Sequence, residues 1–151
     1  MNPNPRVSPV TITVIVHAAP EVVFRYFTDA ARLSRWLNSS VRLDPEVGGR
    51  LRIDFSPHQT VVSGELLEVI PERRVVFSWG VESGPGADAM PPGSTMVAVT
   101  LEPAGSGTLV TLDHSGLPDE SERHDHEGGW REYLTQLVGV VAEEGQQGRQ
   151  T

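Results

Sequence analysis

Apolar and polar residues alternate with a period of two from Val10 to Val16, where Val10, Ile12, Val14 and Val16 interleave with Thr11 and Thr13. β-Branched residues at that spacing predict a first strand with one buried face. Ala18-Ala19-Pro20-Glu21 ends it and opens a helix, because proline suits the first helical position and Glu21 complements the positive end of the helix dipole. Val23, Phe24 and Phe27 then share one face. Thr28-Asp29 interrupts this helix, and Asp29 is placed to cap a second one whose Leu33, Trp36 and Leu37 stand at i, i+3 and i+4.

From Val41 to Trp79 the pattern is strand-like, with turns at Pro45, Gly48-Gly49, Ser56-Pro57 and Pro71-Glu72. Leu51, Ile53 and Phe55 alternate with Arg52 and Asp54; Val75, Phe77 and Trp79 alternate with Arg74, Val76 and Ser78. The segment Gly80–Gly93 holds four glycines and three prolines, the composition of a flexible connection with the potential to act as a lid. Val97–Glu102 and Thr108–His114 flank Pro103-Ala104-Gly105-Ser106-Gly107, which predicts an antiparallel pair joined by a five-residue loop. Asp119-x-x-Glu122 has the form of a capping box, and Trp130, Leu134, Leu137, Val138 and Val141 repeat at helical spacing after it. One strand, two short helices, about five more strands and one long helix make an α+β chain, with helices on one face of an antiparallel sheet.

At 151 residues the chain fits one domain able to bury roughly two-thirds of its unfolded surface. The reading sets residues 1–9, with three prolines, as a flexible arm, 10–144 as a single domain and 145–151 as a frayed tail. No apolar run approaches the roughly 20 residues of a membrane helix, and the N-terminus lacks a signal core, so the expected compartment is the cytoplasm. The chain has no cysteine, which removes disulfides, thiolate metal sites and thiol nucleophiles. All twelve basic residues are arginine, so Schiff-base chemistry and a P-loop lysine are also absent. A net charge of −8 with scattered arginines argues against nucleic acid as a partner.

Several pieces in this order match a known family. They are Ala19-Pro20-Glu21-Val22-Val23-Phe24 with Phe27-Thr28-Asp29, Leu33 to Trp36, and Gly64-Glu65 followed by Pro71 and Val75-Val76-Phe77-Ser78-Trp79. Thr108 to His114 with Ser115-Gly116-Leu117, and His126-Glu127-Gly128-Gly129-Trp130 with Leu134 and Leu137, complete the set. Over residues 10–142 the chain resembles the activator-of-heat-shock-protein-ATPase-like branch of the START-like (SRPBCC, birch-pollen-allergen-like) superfamily. The resemblance implies a helix-grip fold: a curved sheet of about six strands, two short helices after the first, and a long C-terminal helix on the concave face. It implies a cavity between sheet and helix, and no single activity, since that superfamily holds lipid and hormone binders, cyclases, hydroxylase subunits and co-chaperone domains.

Large apolar side chains are the candidate cavity walls: Trp36, Phe55, Phe77, Trp79, Met96, Trp130, Tyr133, Leu134 and Leu137. Each buried aromatic contributes roughly 2–3 kcal/mol through area alone, so core packing explains any one of them equally well. His124-Asp125-His126-Glu127 looks like a metal cluster, but histidines at i, i+2 point about 200° apart on a helix, whereas helical zinc sites use i, i+4. No metal or cofactor is expected. Alternation along Val110, Leu112 and His114 puts His114 on an apolar wall, and Glu68 is a candidate acid/base partner if it too points inward, although its segment does not alternate cleanly and a bulge near Gly64 would change its face. Both also read simply as residues hydrogen-bonded at the sheet rim.

Three function classes remain open on the sequence. They are a binder of a small hydrophobic or amphipathic molecule, a cyclase- or hydrolase-like enzyme using His114 and Glu68, and a co-chaperone-like module. A chaperone or a second copy of the chain are the protein partners considered. With no convincing nucleophile, binding ranks ahead of catalysis.

Overall fold

A computed structural model describes residues 7–55 and 59–149; the arm before Val7 and the turn expected at Ser56-Pro57 fall outside the described residues in whole or part. Its strands are β1 (Val10–Val16), β2 (Ser40–Leu43), β3 (Arg50–Phe55), β4 (Thr60–Ile70), β5 (Arg74–Ser83), β6 (Thr95–Ala104) and β7 (Gly107–Ser115). Helices α1 (Pro20–Thr28) and α2 (Ala30–Leu37) follow β1, and α3 (Glu120–Arg149) closes the chain. The seven strands form one antiparallel sheet in the order β1-β7-β6-β5-β4-β3-β2. The two short helices therefore carry the chain from one edge of the sheet to the other. The sheet thus has seven strands where about six were expected, with the four-residue β2 at its edge.

Local chemistry accounts for the element ends. Pro20 opens α1, and the Asp29 carboxylate caps α2 by accepting the Arg32 backbone N–H at 3.3 Å. Asp119 caps α3 by accepting the Glu122 backbone N–H at 2.9 Å. The helix continues to Arg149, past Gly145 where fraying was expected to begin. The β6–β7 hairpin is tighter than the five-residue loop expected: Ala104 pairs with Gly107, leaving Gly105-Ser106 as a two-residue turn with Gly105 at φ +60°. That positive φ is what a short hairpin turn demands.

Burial follows strand parity. Val97, Val99 and Leu101 on β6, Val110 and Leu112 on β7, and Val75, Phe77, Trp79 and Val81 on β5 are buried on the face that meets α3. Trp130, Leu134, Leu137 and Val141 answer them from the helix. Gly64 permits the tight pairing of β4 with β5, since a Cβ there would lie 1.8 Å from the Ser78 carbonyl oxygen. Register shifts flank it, between Val61 and Val62 and between Leu66 and Glu68. At the far end of α3, Glu144 accepts the Tyr26 hydroxyl and pairs with Arg35 at 2.8 Å, fastening the helix to α1 and α2.

Candidate functional site

The sheet and α3 do not meet everywhere. Between β3, β4, β5 and the N-terminal half of α3 lies a cavity of about 440 Å³, within the range of about 300–1,000 Å³ typical of small-molecule sites. Phe55, Trp79, Trp130 and Tyr133 border it, as four of the expected wall residues should. Their rings form a continuous cluster, with centroids 5.8 Å apart for Phe55–Tyr133, 6.4 Å for Phe55–Trp79 and 5.1 Å for Trp79–Trp130.

The other expected wall residues lie elsewhere. Phe77 stacks beside Trp79 at 6.1 Å but is set back in the core, and Leu134 and Leu137 are wholly buried packing residues that do not border the cavity. Trp36 donates its indole N–H to the Tyr26 carbonyl at 2.9 Å and meets Phe27 edge-on, within the packing under α1 and α2. Met96 is 41% exposed: with Val97, Val99 and Leu101 facing inward, the period of two turns it to the outer face.

His114 is fully buried behind the aromatic wall. Its Nδ1 accepts the Trp130 indole N–H at 3.0 Å, so that nitrogen carries no hydrogen. Nε2 then carries it and donates to the Thr95 hydroxyl at 2.8 Å, which donates in turn to the Trp79 carbonyl at 2.6 Å. Burial, reinforced by the neighbouring His126, lowers its pKa from 6.5 to about 3. A neutral ring with both nitrogens engaged has no free lone pair for base catalysis.

Glu68 does not join it. Two strands, β5 and β6, separate their strands in the sheet, and Glu68 pairs with Arg74 at 2.7 Å in a largely exposed bridge. The acid/base pair considered on the sequence is therefore not assembled. His126 turns its ring edge toward His114, 5.1 Å away, and its Nδ1 donates to the Glu122 carbonyl at 2.8 Å, while His124 is exposed. Among the described residues no group of three histidine or carboxylate side chains is arranged to hold a metal ion, and no helix is long and apolar enough to cross a membrane.

A model of the family described as Activator of Hsp90 ATPase homolog 1-like protein matches residues 17–142. The chain belongs to this family. The human protein named Activator of 90 kDa heat shock protein ATPase homolog 1 is 23% identical over 124 residues, covering 82% of this chain but 34% of its own length. The chain thus spans about a third of that curated relative. Among solved structures, protein MLL2253 from Mesorhizobium loti has a TM-score of 0.78 at 22% identity, covering 89% of this chain and 97% of the other. The Aha1 dimer from Colwellia psychrerythraea gives 0.73 at 18% identity, covering 89% and 96%. These likenesses establish the fold.

In this Activator of Hsp90 ATPase homolog 1-like domain, several cavity residues went unnoticed on the sequence. Val62 and Val81 continue the inward parity of β4 and β5, and Glu122, Asp125 and Gly129 extend the helical stripe that Trp130 and Tyr133 already marked. Both signals were readable. Met90 was not, because it lies in the glycine- and proline-rich connection that has no period. Strand β5 runs on to Ser83, so that connection begins at Gly84 instead of Gly80. Pro85, Gly86 and Met90 then fold over the cavity, with wholly buried Met90 accepting the Val81 N–H and donating to the Gly86 carbonyl.

Proposed function

We propose that this domain binds a small, largely apolar molecule in the cavity between the sheet and α3. The observation that carries the reading is the cavity itself: about 440 Å³, walled by four aromatic rings and covered on one side by the β5–β6 connection. A well-packed core fills its volume, so an apolar space of this size inside a small domain forgoes packing energy unless something occupies it. Trp79 contributes its ring to the wall, while its indole nitrogen is buried away from the cavity surface without a hydrogen-bond partner among the described residues. The test is thermal denaturation against panels of lipids, flavonoids and polyketide-like aromatics. A true ligand at about 100 times its Kd adds about 2.7 kcal/mol of stability. A panel in which no class raises the melting temperature overturns the reading.

The family supports a second reading, in which the domain acts on a chaperone; the human relative is named as an activator of a 90 kDa heat shock protein ATPase. Stimulation of an Hsp90-type ATPase by the purified chain would support it. An unchanged rate at saturating chain would remove it.

A further inference from the structure

The cavity's charge is as distinctive as its shape. We propose that it selects an apolar molecule bearing a protonated or quaternary amine over one of equal size bearing a carboxylate; the proposal rests on the reading of the cavity as a ligand site.

Three observations converge. The aromatic cluster of Phe55, Trp79, Trp130 and Tyr133 offers ring faces, which attract an organic cation and do nothing for an anion. The rim contributed by α3 carries two carboxylates, Glu122 and Asp125, about one turn apart, and the exposed Asp125 side chain has no ion-pair or hydrogen-bond partner among the described residues. No arginine borders the cavity among the described residues, and the chain contains no lysine.

The nearest arginines in sequence are already committed. Arg52 pairs with Glu82 at 3.2 Å, and Arg123 and Arg131 both pair with Glu127 at 3.3 Å. His126 is the basic ring on the rim, and its Nδ1 donates to the Glu122 backbone carbonyl at 2.8 Å and lies 3.6 Å from a Glu122 carboxylate oxygen, so that nitrogen is not offered to a ligand. A carboxylate entering here meets two carboxylates and no arginine or lysine, whereas an ammonium meets those carboxylates beside four aromatic rings. The net charge of −8 adds a long-range field of the same sign.

The experiment is calorimetric titration of the whole chain with decylamine, decanol and decanoate below their aggregation concentrations. Decylamine is expected to bind at least about tenfold more tightly than decanoate, with decanol between them. Raising salt from about 50 mM to about 500 mM should narrow that gap, because the rim carboxylates are reached by counter-ions. The double variant E122Q/D125N should bring the amine-to-carboxylate ratio close to one. D125N alone, at an exposed position, should move it part of the way, which keeps the test decisive if the double variant folds poorly. Decanoate binding as tightly as decylamine, or a ratio indifferent to D125N and to salt, overturns the charge selection and leaves the cavity reading standing. Binding of none of the three overturns both.

Discussion

Two adjacent glycines in α3 offer a controlled way to separate the cavity from the fold. An alanine Cβ at either Gly128 or Gly129 meets nothing within 4 Å, so neither glycine is kept by steric crowding. Each interior glycine costs a helix about 1 kcal/mol against alanine. Gly128→Ala and Gly129→Ala should therefore each stabilise by about that amount, raising the melting temperature by about 2–4 °C. Leucine has nearly the helix propensity of alanine, so both leucine variants should also fold. They differ in where the side chain goes: Gly128 is exposed, while Gly129 borders the cavity. Four carbon groups at about 30 Å³ each, the volume share of a water, would take roughly a quarter of the space. Gly129→Leu should weaken decanol binding at least about tenfold in calorimetry, and Gly128→Leu should not. Equal decanol affinity in the two leucine variants would show that ligand does not enter this cavity, and a destabilising Gly129→Ala would show that the open space beside the helix is not there.

Two further outcomes follow from buried groups. His114 has a folded pKa of about 3 against 6.5, so between these values the unfolded chain binds a proton that the folded one refuses. Its contribution is fully present above about pH 6.5 and is lost as pH falls toward 3, with a slope approaching 1.4 kcal/mol per unit. Urea denaturation at several pH values should show this slope in the parent chain and a flatter one in His114→Asn, which at pH 7 should be about 2–4 kcal/mol less stable for its broken bonds to Trp130 and Thr95; parallel slopes would refute the assignment. Gly64→Ala forces a methyl into the Ser78 carbonyl and should cost about 3 kcal/mol, so an unchanged melting temperature would mean that β4 and β5 pair less closely than described.

Strand parity and helical spacing made most of the fold legible. The alternations at Val10–Val16, Leu51–Phe55 and Val75–Trp79 became buried faces, and Pro20, Asp29 and Asp119 mark helix starts where their chemistry placed them. The cavity lining was legible only where a large side chain stands in a regular element, as Phe55, Trp79, Trp130 and Tyr133 do. Met96, large as it is, has the parity opposite to Val97 and so faces outward. Met90 lay beyond reach because an irregular connection carries no period to read. His114 was placed on the inner face correctly, but nothing local could show that Trp130 and Thr95, distant in the chain, would occupy both of its nitrogens.

That histidine divides the cavity into two economies of change. The back wall is bonded into the fold, because the His114 ring behind it holds Trp130 and so ties β7 to α3 and, through Thr95, to β5. Substitution there disturbs the whole molecule. The rim carries Glu122, Asp125 and Gly129 on a solvent-facing stretch of helix, where side chains can be exchanged with little effect on stability. A lineage built on this domain can therefore reshape the mouth of the cavity by rewriting one helical stripe, and an engineer can do the same, with the interior left untouched.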